Sequence, residues 1–339
     1  MHVRPAGLSP DFQPCEIFFH IPKTGGQSLH NLIWREYRHH PMLDTHCGLL
    51  TTSVWQDFAD RMADHPATRA PRYRVVGGHM KFGVHEMLDY PARYLTMLRD
   101  PVRRFASYYF MLQRSGHVPA GHRLDPDRAD WNLSGHETLP RELDNGQTRA
   151  LANADWDLPL GECTEDHLKL AQANLDRHFA FVGVTEHFDL SLMVLMRVCR
   201  WRWHFYVPRN VSPVVRSQRF SPDVLESIER LNRFDRQLHA HAKKRLLETA
   251  RGYGVNLQME KIAYMAGNVV HNARYCLRRS LKRGLKQGGF LKAAKAETLD
   301  PVYTTAPSFH SSPSLFTTGK VALAKVRNEA VHRDCPGDR

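Results

Sequence analysis

Two hydrophobic periods alternate along the first 250 or so residues. Glu16–Ile21 (EIFFHI) is a short apolar run that predicts a buried strand. Pro22–Gly26 breaks it, and Leu29, Leu32, Ile33 and Tyr37 then recur at helical spacing, which predicts a helix over Ser28–Tyr37. The same signals return further on. Arg74–Gly77 and Tyr94–Leu98 read as strands, and Pro101–Leu112 as a helix with Asp100 at its N-cap and Pro101 in its first turn. Ala180–Val184 (AFVGV) reads as a further central strand and Phe188–Cys199 as the helix after it. Pro222–Glu248 is amphipathic throughout, as one long helix or two, with Leu225, Ile228, Leu231, Phe234, Leu238 and Leu246 on the packed side.

Strand, loop, helix in repetition predicts an α/β fold: a P-loop-like three-layer arrangement with a mostly parallel central sheet flanked by helices. Residues 1–14 hold three prolines and read as an irregular lead-in. The α/β domain is expected over 15–254. Residues 116–165, rich in Pro, Gly, Asp and His, read as a long surface excursion, a lid or acceptor platform. After residue 254 the character changes to a basic helical segment, Leu257–Lys295, with Arg278, Arg279, Lys282, Arg283 and Lys286 clustered; a Ser/Thr/Pro-rich stretch follows it. Residues 255–339 are therefore expected to form an extension.

Charge sharpens this division. The 339 residues carry a net charge of +12, but 14 Lys/Arg against 6 Asp/Glu fall after residue 256. The basic balance belongs mostly to the extension and says little about the core. The six cysteines, at 15, 47, 163, 199, 276 and 335, form no CxxC pair, disulfide framework or zinc knuckle. Reduced thiols and an N-terminus without an apolar run lead to the expectation of a cytoplasmic protein. No stretch reaches the length of a spanning helix.

Candidate chemistry begins at Pro22–Ser28 (PKTGGQS). Gly25 and Gly26 allow a sharp turn and close backbone approach, and the next helix starts near Ser28 with its N–H groups facing the loop. Lys23 adds a positive charge, while Thr24 and Ser28 add hydroxyl donors. Together they predict an anion cradle rather than an empty turn. A Walker loop places its lysine after the second glycine; here Lys23 precedes both, which argues against an ordinary ATPase or kinase. Leu98–Tyr109 (LRDPVRRFASYY) repeats the logic. Arg99 closes a strand with a fork suited to phosphate, and Ser107 lies about two turns into the following helix. Arg104 has two readings of equal weight, a pair with Asp100 or solvent, and ligand contact.

FFHIPKTGGQS and LRDPVRRFASYY together resemble the 5′-phosphosulfate loop and the 3′-phosphate motif of sulfotransferases that use 3′-phosphoadenylyl sulfate (PAPS). The resemblance is to the heparan sulfate 2-O-sulfotransferase group and its bacterial relatives. It extends to VVGGHMKFG (Val75–Gly83), NGQTRAL (Asn145–Leu151), FVGVTEHFDLSL (Phe181–Leu192) and NVSP (Asn210–Pro213), over roughly residues 15–250. Gln27 stands where many relatives have Thr.

The resemblance implies sulfuryl transfer from PAPS to a hydroxyl of a carbohydrate or glycolipid, with no metal required. It implies cofactor contacts from Lys23, Thr24, Gly25, Gly26, Gln27, Ser28, Arg99 and Ser107, and from Asn210 and Ser212 near the 3′-phosphate. In-line transfer needs a cation at the leaving oxygen and a base for the acceptor hydroxyl. Lys23 is the choice for the first and His79, in its GGH context, for the second, with His20 as competitor. Most of the 21 histidines need no catalytic reading, His85 among them, and His39, His40 and His46 lack a ligand set for a metal. Glu186 reads as a loop-ordering residue. A nucleotide-dependent kinase is the alternative enzyme, and a non-catalytic nucleotide or anionic-surface module the alternative outside enzymes. The basic extension could meet an anionic membrane surface, which would make the protein peripheral at the inner membrane; nucleic acid is not expected.

Overall fold

The computed structural model describes residues 14–45, 73–80, 82–119, 121–128, 131, 142–154, 158–202, 205–206, 220–254 and 259–287. Five strands form one sheet: β1 Cys15–Phe19, β2 Met42–Thr45, β3 Val75–Gly78, β4 Ala92–Leu98 and β5 Phe179–Val184. Their order is β2-β3-β1-β4-β5, and every pairing is parallel. The helices, in chain order, are α1 Gly26–Glu36, α2 Pro101–Arg114, α3 Gly146–Leu151, α4 Glu165–His178, α5 Phe188–Val198, α6 Pro222–Leu231, α7 Arg233–Gly252 and α8 Met259–Gln287. The architecture is the expected α/β fold with a parallel sheet flanked by helices.

A strand buried on both faces needs no polar alternation, and β1 shows this: Ile17, Phe18 and Phe19 are all buried. Phe19, Tyr94, Phe179 and Phe82 pack ring against ring beneath the sheet. A second cluster gathers Phe105, Trp131, Leu143 and Ile228. At the N-terminal end of β1, buried Glu16 accepts two bonds from the Arg93 guanidinium, at 2.6 and 3.0 Å.

Two elements differ from the expectation, and a third settles between its two alternatives. β2 went unseen because MLDT has no periodic apolar pattern; it exists through its backbone pairing with β3. The Pro222–Glu248 segment is two helices, parted at Asn232. Here Asn145 reaches across: its side-chain oxygen accepts from Phe234 N at 3.0 Å and Asp235 N at 3.2 Å, capping α7 from outside. The surface excursion is corrected in part. Residues 142–149 are buried, because Asp144, Asn145, Gln147, Thr148 and Arg149 all find hydrogen-bond partners. Polar composition signalled exposure; what it encoded was an internal polar network.

The expected boundary at residue 254 precedes a helix whose inner face joins the core. Tyr264 of α8 is fully buried, Asn268 accepts from Tyr206 N at 3.0 Å, and Glu260 pairs with Arg197.

Candidate active site

Parallel register brings four chain exits to one edge of the sheet. Phe19 pairs with both Gly78 and Thr96, and Leu98 with Val184. The residues that follow the strands, His20, His79, Arg99 and Thr185, therefore emerge together, at the C-terminal edge where open α/β sheets collect ligands.

The loop between β1 and α1 runs tightly. Gly25 has φ +83°, and Lys23 has φ +67°, a left-handed conformation that costs a residue with a side chain about 1–2 kcal/mol. What holds it is visible in its carbonyls. Ile21 O accepts from Thr24 Oγ1 at 2.8 Å, Pro22 O from Arg104 Nε at 3.0 Å and Lys23 O from Arg99 Nη1 at 3.1 Å. Thr24 O accepts from Thr185 Oγ1 at 2.5 Å, and Gly25 O from Ser28 N at 3.2 Å. Five successive carbonyl oxygens are thus bound by protein donors. Such a loop offers a ligand few acceptors, while the start of α1 offers N–H donors and the positive end of a helix dipole. The site fits an anion and disfavours a cation.

Thr24 is fully buried, so its hydroxyl serves the turn. Gly25 leads into α1, whose first residues are Gly26, Gln27 and Ser28, with Gln27 exposed and Ser28 half-buried. Gly26 admits no substitute: a Cβ there would lie 2.0 Å from His20 Cδ2 and Nε2. His20 is buried in a stack, 5.3 Å from the Phe18 ring and 4.5 Å from the His79 ring. The backbone carbonyl of His20 receives His79 Nδ1 at 2.9 Å. A carbonyl can only accept, so Nδ1 carries the proton and the lone pair of the neutral ring sits on Nε2. The two rings are thus held against each other, with the His79 proton on Nδ1 directed to the His20 carbonyl.

Arg99 is set by a relay that sequence reasoning missed. Its backbone N–H donates to Gln147 Oε1 at 2.9 Å and its carbonyl accepts from Gln147 Nε2 at 2.8 Å. The carboxylate of Asp235, fully buried in α7, accepts from the backbone N–H of both Gln147 and Thr148 and from the Thr148 hydroxyl. The chain of contacts runs α7, α3, the end of β4, then the anion loop. No local signal marks Asp235; it lies in an ordinary amphipathic helix.

Arg104 fits neither reading offered for it. It is buried, donating to Pro22 O, to Glu142 O at 2.6 Å and to the Glu142 carboxylate. Burial pushes the Glu142 carboxyl up despite the charge of Arg104. The side chain of Asp100 instead caps α2, accepting from Arg103 N at 2.9 Å, as expected. Ser107 stands half-buried on α2, and Asn210 and Ser212 lie outside the described residues.

Glu186 orders the same edge, accepting from Asp100 N at 3.2 Å and pairing with His239 Nε2 at 2.9 Å. Burial alone would raise its carboxyl, but the His239 hydrogen bond and charge, with backbone N–H groups, hold it below the usual range. His85 sits apart, its Nδ1 3.0 Å from the Tyr94 hydroxyl. Burial and the nearby His178 hold it below the ordinary imidazole value. Among the described residues no group of three or more His, Cys, Asp or Glu could hold a metal ion.

Comparison with known proteins adds an independent line. A family model described as galactose-3-O-sulfotransferase matches residues 5–301, most of the chain. The chain is 25% identical over 179 residues to pig galactose-3-O-sulfotransferase 2, covering 50% of this chain and 44% of the relative. It is 22% identical over 285 residues to bovine galactosylceramide sulfotransferase, 77% of this chain and 63% of the relative. A human heparan-sulfate 6-O-sulfotransferase 1 is 28% identical over 174 residues, 44% and 42% of the two chains. The chain spans about half the length of the first of these relatives. The motifs resembled the heparan sulfate 2-O branch; the family whose model matches is the galactose-3-O family.

Proposed function

The chain belongs to the galactose-3-O-sulfotransferase family, and from that premise we propose that it transfers a sulfuryl group from PAPS to a sugar hydroxyl. The acceptor class is a galactose-containing glycan or glycolipid, in keeping with the names of the relatives. The observation that carries the reading is the capture of five successive carbonyls at Ile21–Gly25, which leaves the loop fit for phosphosulfate oxygens.

In this reading PAPS supplies an activated sulfuryl group on an acidic leaving oxygen. Gly25–Ser28 and the N-terminus of α1 hold the 5′-phosphosulfate. Lys23 neutralises charge as it develops on the leaving oxygen. Arg99 and Ser107 hold the 3′-phosphate, with Asn210 and Ser212 assigned to the same side by family resemblance alone. Nε2 of His79 takes the proton of the acceptor hydroxyl, and the His20 carbonyl stabilises the imidazolium that forms through Nδ1–H. His20 is a positioning residue, since Gly26 and the ring stack confine it.

The test is product mass with PAPS against a panel of galactose-terminated acceptors, alongside calorimetry with the desulfated product PAP. His79→Ala should lose transfer by about 10²–10⁴-fold and keep PAP affinity. Arg99→Ala should weaken PAP first. Full turnover by His79→Ala removes the base assignment, and ATP binding in preference to PAP would overturn the donor.

A further inference from the structure

The helix α8, Met259–Gln287, has an inner face committed to the domain and an outer face that is not. The inner residues are Glu260, Tyr264, Asn268 and His271; Phe205 stacks near Tyr264 at 5.6 Å and His271 at 6.2 Å, and its ring fills the space where a Cβ on Gly267 would sit. At about 100° per residue, Met259, Ile262, Ala266, Val269, Ala273 and Leu277 fall on one arc opposite Tyr264. All six are exposed, with Met259 at 69%, Ile262 at 64%, Val269 at 68% and Leu277 at 61%. Val270 and Cys276 lie on the same arc, also exposed, and none of its positions from 259 to 277 carries a charge. An uninterrupted apolar stripe about 27 Å long, at 1.5 Å per residue, does not stay in water without cause.

Charge identifies what covers it. The helix has seven Lys/Arg, at 261, 274, 278, 279, 282, 283 and 286, against the single acid Glu260, which is already paired with Arg197. Two copies joined through this face would bring two strongly basic helices together. An anionic bilayer surface instead accepts the apolar arc at the acyl boundary, neutralises Lys261 and Arg274 on either side of it and attracts the net positive charge of the helix. No helix among the described residues is long and apolar enough to cross a membrane, so the contact is in the plane of the surface. We infer that α8 is an interfacial helix that docks the domain on an anionic lipid bilayer, with Ile262 and Val269 entering the surface and Lys261 and Arg274, exposed on either side of the arc, meeting headgroups. This inference stands independently of the proposed sulfuryl transfer.

The experiment is sedimentation of the full chain with vesicles of phosphatidylcholine alone and of phosphatidylcholine mixed with phosphatidylglycerol. Binding should appear with the mixed vesicles and fall at high salt. At about 1 kcal/mol for each basic residue near the surface, Lys261→Gln with Arg274→Gln should weaken it about 30-fold. Ile262→Ser with Val269→Ser should abolish it. Both pairs are exposed, so melting temperature and PAP affinity should stay unchanged in solution. Three results overturn the inference. One is a full chain that ignores anionic vesicles, as it would if residues 288–339 covered the stripe. Another is binding indifferent to both variants. The last is a dimer in solution that the Ile262/Val269 variant dissociates while vesicles are not bound.

Discussion

Replacing Arg104 with methionine separates two roles that one buried guanidinium performs. Its Nε holds the Pro22 carbonyl at 3.0 Å, and its two terminal nitrogens hold the Glu142 backbone and carboxylate. Methionine keeps the stem and removes every donor, leaving a buried carboxylate and two buried carbonyls. Breaking a buried ion pair from one side costs about 3–5 kcal/mol, a large share of a typical total stability. Burial already pushes Glu142 up, so in the variant it can take a proton, and the loss should shrink toward mildly acidic pH. Urea unfolding across that range reads this directly. The loop role is read by PAP calorimetry. A lost donor to Pro22 O is worth about 1–3 kcal/mol, so affinity should fall about 10- to 100-fold. Arg104→Met combined with Glu142→Leu should regain much of the stability, since no charge is left buried. It should not regain PAP affinity, because Pro22 O still lacks its donor. A single variant destabilised by less than about 1 kcal/mol, or a double variant that recovers affinity, refutes the assignment.

Gly26→Ala should raise helix propensity by about 1 kcal/mol, yet the Cβ meets the His20 ring at 2.0 Å. Transfer is therefore expected to fall with a net loss of stability, and a stabilised, active Gly26→Ala would show that His20 moves freely. Stability should also decline as pH falls through about 6.5. Burial first, and neighbouring positive charges second, hold His178, His187 and His271 below that value, as burial and His178 hold His85. The unfolded chain then binds the proton more readily, so the stabilisation is present above the ordinary value and lost below it. Calorimetric melting between about pH 7.5 and pH 5.5 should show a falling midpoint; a flat or rising one contradicts the burial of these rings. A second loss belongs to Glu186, whose depressed carboxyl gives stability present above about 4.5 and lost as pH drops further. Glu186→Gln should flatten that acid limb.

Local signals carried much of this protein. The apolar run before Pro22, the two glycines and the Asp100-Pro101 start are each decided by neighbours in sequence, because strand burial, turn conformation and helix capping are short-range properties. They gave the α/β class, and they set the Pro22–Ser28 loop, Arg99 and His79 just after predicted strands, where the structure also has them. What the loop's carbonyls bind was not legible. Three of the five donors come from Arg99, Arg104 and Thr185, up to 161 residues away, and strand register brings the exits of β4 and β5 to that edge. The same holds for Asp235 and Gln147, polar residues whose burial depends on partners roughly 90 residues apart in the chain. Their composition read as surface because a sequence shows a side chain's polarity and not its partner. The amphipathic spacing of 259–277 was likewise present from the start. Only the packing of Tyr264 decided which side of that helix faces the domain and which faces out.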